Sequence, residues 1–137
     1  DSNSSAGNED LFVVKYNSNG VKQWTRQLGT SSFDTGIDIA VDSSGNVYVT
    51  GYTEGGLDGR VHAGQEDIFL VKYSSNGVKQ WTQQLGTVGQ DRGRGVTVDA
   101  YGDIYVTGWT NRTLEDNTAL AGANVFVVKY NSSGVKQ

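Results

Sequence analysis

The chain repeats itself every 57 residues, and that period limits its folds more than any other feature. Asp-Leu-Phe-Val-Val-Lys-Tyr at 10–16 returns as Asp-Ile-Phe-Leu-Val-Lys-Tyr at 67–73 and as Asn-Val-Phe-Val-Val-Lys-Tyr at 124–130. Trp24 and Trp81, Asp34 and Asp91, Asp42 and Asp99, Gly45 and Gly102, Tyr48 and Tyr105, and Gly51 and Gly108 keep the same offset. Between residues 10–66 and 67–123, 28 of 57 positions agree. One supersecondary unit is therefore stacked on copies of itself, since a single unit cannot bury its own apolar face.

Each unit reads as four short strands and no helix. Ile37, Ile39 and Val41 alternate with Asp38 and Ala40, the period of a strand with two different faces. Asp42-Ser-Ser-Gly-Asn46 supplies a turn, and Val47–Thr53 a strand rich in β-branched and aromatic residues. After a loop to Glu66, Asp67–Tyr73 forms the third strand, Ser74–Gly77 a hairpin turn of the Asn-Gly type, and Val78–Leu85 the fourth. Four antiparallel strands repeated in this way predict an all-β fold of β-propeller blades, the long second-to-third loop lengthening the usual period of about forty residues.

The run Asp-x-Phe-Val-x-Lys-Tyr, then Trp-Thr-x-x-Leu-Gly, then Asp-x-Gly, then Val-Asp-x-x-Gly-Asn/Asp-x-Tyr-Val-Thr-Gly resembles the bacterial beta-propeller repeat known as SBBP. The resemblance covers nearly the whole chain. It implies a propeller, of the kind found in large secreted or cell-surface bacterial proteins, and no established catalytic residues.

Counted in strands, residues 1–28 hold the third and fourth strands of one blade, 29–85 a complete blade, and 86–137 a blade lacking most of its outer strand. All belong to one propeller domain. About 2.4 units make an incomplete ring, since closure needs at least about four blades. An open arc leaves two apolar faces wet, so the expected partners are the remaining blades of a longer chain, or other copies through the open blade edges. Residues 124–137 duplicate 10–23 and would compete with them in a head-to-tail joint, which favours a segment of a longer propeller. The absence of Met points the same way, to a processed or excised piece.

Composition narrows the function. With no Cys, disulfide scaffolds and Cys-based metal sites are excluded, and there is no apolar stretch of transmembrane or signal-peptide length. A net charge of −4, with lysines spaced rather than clustered, argues against nucleic acid. The loops joining strands one to two and three to four are minimal and share one face. Length and divergence gather on the opposite face, where any ligand is expected.

On that face Asp34 and Asp91 precede the innermost strand. They read as a carboxylate ring able to take Ca²⁺, or, preferably, as acceptors of backbone amides at a tight turn. Asp42–Asn46 and Asp99–Asp103 lack the later Glu of a calcium loop and read as turns. Tyr52 and Trp109 end the second strand beside the variable loop, where Asn111 and Arg112 would let an aromatic stack on a sugar; packing between blades is the plainer alternative. Glu54, Asp58, Arg60, the single His62 and, next to Asp91, Arg92 complete the candidate face; Glu66 ends the loop that carries His62. Trp24 and Trp81 read as covers of a blade edge, Phe12, Phe69 and Phe126 as core between blades, and the recurring lysines as charges that protect an edge strand. Sequons begin at Asn3, Asn111 and Asn131.

The expectation is a non-enzymatic structural or binding module of a secreted or cell-surface bacterial protein, its long loops meeting protein or glycan, with no cofactor, no nucleic acid and no membrane insertion. The alternatives are a propeller enzyme with its active site in other blades, and a calcium-stabilised lectin. On the module reading, replacing loop 54–66 or 111–123 by a Gly/Ser turn abolishes binding and spares the fold.

Overall fold

The computed structural model describes residues 6–114 and 122–137. Nine strands follow one another: β1 Leu11–Tyr16, β2 Lys22–Leu28, β3 Asp34–Val41, β4 Val47–Thr53, β5 Asp67–Tyr73, β6 Lys79–Leu85, β7 Asp91–Val98, β8 Ile104–Thr110 and β9 Asn124–Tyr130. They form three antiparallel sheets ordered β1-β2, β3-β4-β5-β6 and β7-β8-β9, so the arc of blades expected from the repeat is present. The sequon at Asn3 and most of loop 111–123 lie outside the described residues.

The innermost strand starts at Asp34, ahead of the alternation that marks it in the sequence. Asp34, Thr35 and Gly36 pair with Thr53, Tyr52 and Gly51, and the register then slips between Gly36 and Asp38. Such a bulge puts the residues before it out of phase with those after it. The same slip recurs between Gly93 and Gly95. The Ser74–Gly77 hairpin also departs from the two-residue primed turn, which needs positive φ at both central residues. Only Gly77, at φ +76°, is left-handed, and the Asn-Gly pair instead closes a wider turn in which Ser74 N–H bonds Val78 O.

Strand alternation sends alternate residues of a blade into two different seams. Phe69, Val71 and Tyr73 of β5 face the preceding blade and meet Leu11, Val13, Trp24 and Leu28. Ile68 and Leu70, their immediate neighbours, face the following blade with Tyr48 and meet Ile104, Val106 and Tyr130. The middle blade is therefore buried on both sides. The outer faces are not: Phe12 is 72% exposed where Phe69 is 0%, and Val125 is 83% exposed where Ile68 is 3%. A backbone bond also crosses each seam, from Asp34 N–H to Glu9 O and from Asp91 N–H to Glu66 O, both at 2.8 Å.

Candidate functional site

The fourth-to-first and second-to-third connections gather at one end of the blades, and short polar side chains hold them there. Asp34 Oδ2 accepts Thr30 N–H at 2.5 Å and the Thr30 hydroxyl at 2.9 Å, while Thr53 donates to its other oxygen. Asp91 Oδ2 takes the same two bonds from Thr87, at 2.6 and 2.8 Å, while its Oδ1 is buried without a hydrogen-bond partner among the described residues. Asp67 receives Ala63 N–H and Gln84 Nε2, both at 2.8 Å. Its second oxygen lies so close to Gly86 that a Cβ there would sit 2.0 Å from it, which explains the glycine of the recurring Leu-Gly-Thr. Asp10 repeats this arrangement with Ala6, Gln27 and Gly29. Asp34 thus has both oxygens committed to turn donors, and no group of three or more potential metal ligands forms among the described residues.

The structure brings three candidates, Tyr52, Arg92 and Trp109, together at the inner end of the second seam, and adds Glu66, which the sequence did not single out as a site residue. Arg92, on β7, lies between two aromatic rings, its guanidinium carbon 4.6 Å from the Tyr52 centroid and 5.4 Å from that of Trp109. Its fork also grips both carboxylate oxygens of Glu66, a buried residue of the preceding blade. The bond to Glu66 drives the pKa of Arg92 further up, fixing its charge. Position 35, one period earlier, is Thr, so this clamp breaks the repeat. Glu54 is near enough to contribute to the same field.

Asp58 and Arg60 belong to a different place, the outer strand. Residues Leu57–Gly59 make one 3₁₀ turn in which Asp58 sits at φ +52°, a left-handed conformation that favours glycine. It is held by Lys79 on one oxygen and by the Thr82 hydroxyl, at 2.5 Å, on the other. Burial pushes the pKa of this carboxyl up, but the bonds from Lys79 and Thr82 outweigh it and leave it below the usual carboxylate value. Asp58, Arg60, Lys79 and Thr82 line an open cavity of about 480 Å³. His62 follows in the same loop with its Nε2 buried and unpartnered. Asn111 is spent locally, its carbonyl accepting Gln90 N–H at 2.8 Å, and Arg112 is exposed.

The loop's principal anchor escapes a reading based on its divergence. Leu57 is fully buried in the first seam, and Leu114, one period later, is buried in the second. Replacing loop 54–66 by Gly/Ser would thus strip a core residue, so the expectation that the fold survives that exchange is corrected. The signal was present, since the two leucines keep the 57-residue offset inside otherwise dissimilar loops. The lysines of the third strand also do more than guard an edge: Lys15 donates to Ser75 O at 2.9 Å and Lys72 to Ser132 O at 3.2 Å, each across a seam.

Comparison with known proteins agrees with the propeller fold. The model of the SBBP beta-propeller repeat matches residues 23–58 and 80–114. A WD repeat-containing protein of Acanthamoeba polyphaga mimivirus is 31% identical over 94% of this chain and 11% of its own length. The regulatory protein FlaEY of Caulobacter vibrioides is 31% identical over 79% of this chain and 12% of its own. The chain spans about a tenth of the length of these curated relatives.

Proposed function

Because the chain belongs to the SBBP beta-propeller repeat family, we propose that it is a non-enzymatic interaction module: consecutive blades of a larger bacterial propeller, secreted or held at the cell surface, whose loop-bearing end receives a protein partner. The observation that carries this reading is the Tyr52–Arg92–Trp109 stack with Glu66. It departs from the repeat, lies at the loop-bearing end, and is made of the residue types that dominate binding hot spots. A protein is favoured over a glycan because Arg92 already lies against both rings, leaving less aromatic face for a sugar. The name of the Caulobacter relative, a regulatory protein, is in keeping with an interaction role. The polar Asn/Ser/Thr-rich surface, free of Cys, suits an extracellular setting.

The test is site-specific photocrosslinking in the producing cells, with a photoreactive residue replacing Arg112 at the loop-bearing end or Gln80 on the outer strand. A discrete protein adduct from position 112 and none from position 80 is expected. Equal labelling at the two positions, or glycan-array binding that disappears on Trp109→Ala, would overturn the reading.

A further inference from the structure

Both seams are fastened on their outer side by the same two side chains. Trp24 lies flat on the hairpin turn of the next blade: a Cβ on Gly77 would sit 2.7 Å from the indole, and Trp24 Nε1 donates to Ser75 O at 3.1 Å. Lys15 reaches the same carbonyl. One period on, Trp81 lies on Gly134, whose Cβ would be 2.9 Å from the ring, and Lys72 bonds Ser132 O. The receiving half of this lock is a phenylalanine and a tyrosine on the third strand, followed by a turn that closes on a left-handed glycine.

A third receiving half stands open on the first blade. Phe12 and Tyr16 are exposed where Phe69 and Tyr73 are buried. The turn from Asn17 to Gly20 has the hydrogen bonds of the turn from Asn131 to Gly134, and Gly20 has φ +75°. Nothing lies within 4 Å of where a Gly20 Cβ would be. We propose that this face docks the outer hairpin of a further SBBP blade, its Trp laid on Gly20 and its indole N–H and Lys ammonium both on the Ser18 carbonyl. The occupant follows from continuity with two existing seams, in which this surface is filled by one and the same chemistry. The inference rests on the reading of the chain as consecutive blades of a larger propeller, and adds to it that the third-strand Lys and outer-strand Trp of the incoming blade are what fasten it to this face.

The experiment gives the intact chain the missing half of the lock. A copy of the segment Trp81–Leu85 is appended after Gln137, completing an outer hairpin that already carries Lys129, and self-association is followed by sedimentation velocity beside the unextended chain. The extended chain is expected to associate head to tail at least about tenfold more tightly, as suits an anchoring Trp. Phe12→Asp, at an exposed position, or Ala in place of the appended Trp is expected to abolish the gain. Association that is indifferent to the appended Trp would overturn the lock and leave blade stacking intact. If neither form associates at any concentration reached, both fall.

Discussion

Leu57→Ala tests whether the second-to-third loop is part of the core or a free appendage. The side chain is fully buried against Tyr73, Phe69 and the first blade, although it lies in a loop whose tip, Val61, is 86% exposed. Truncation removes three carbons from an apolar site, about 2.4 kcal/mol at about 0.8 kcal/mol per methylene. A cavity that cannot fully collapse adds up to about 1.5 kcal/mol at about 24 cal/mol per Å³. The expected loss is therefore about 2.5–4 kcal/mol, read as a shift of the urea midpoint at unchanged slope. Val61→Ala, in the same loop, should move the midpoint by less than about 0.5 kcal/mol. If Leu57→Ala cost no more than Val61→Ala, the loop would be peeled from the seam in solution, and its burial would not anchor the blade.

Gly77→Ala should cost clearly more than Gly20→Ala: both force a side chain into left-handed backbone, about 1–2 kcal/mol, but only at Gly77 does the new methyl meet an indole. Thermal melts of the two variants decide it, and equal costs would mean that Trp24 does not rest on that turn. Arg92→Thr, the residue one period earlier, should destabilise the chain by about 2–4 kcal/mol by stranding the buried Glu66 carboxylate, and adding Glu66→Gln should return part of the loss. A double variant no more stable than the single would show that the stacking on Tyr52 and Trp109, not the ion pair, holds the clamp. Since the folded-state pKa of Asp58 is lowered, its contribution is complete above the unfolded carboxylate value and disappears as pH falls through the lower folded one. Asp58→Asn should therefore trail the parent at neutral pH and converge with it below about pH 4, whereas a constant gap would assign the effect to geometry rather than charge.

The all-β fold and its strand order were legible because they depend on patterns that survive in one dimension: alternation in Val47–Thr53, turn glycines at 45 and 102, and the return of Phe-x-x-Lys-Tyr. The bulge at Gly36 was not, because a register slip reads as broken alternation until the partner strand is in place. The site was less legible still. Arg92 gains its meaning from Tyr52 and Glu66, 40 and 26 positions earlier, which only the seam brings together. Leu57 was visible only to an argument that asks which loop positions keep the period, since its loop otherwise diverges.

The departures from the repeat also distinguish one seam from the next. At the first, Arg26 reaches the Gly77 carbonyl, and position 83, its equivalent, is Gln. At the second, Asp38 accepts Val96 N–H at 2.8 Å and Arg92 grips Glu66; one period away, these donors and acceptors are replaced by Gly95 and Thr35. The shared elements, the Trp on a turn glycine and the alternating apolar faces, make any two blades stick. Were they the whole of the interface, a long array of near-identical blades would pack out of order at little cost, because specificity is a difference between affinities. A mispaired blade that faced Glu66 with Thr in place of Arg92 would leave a buried carboxylate without its cation, a penalty of several kcal/mol. The repeated residues thus supply adhesion, and the residues that break the period supply order.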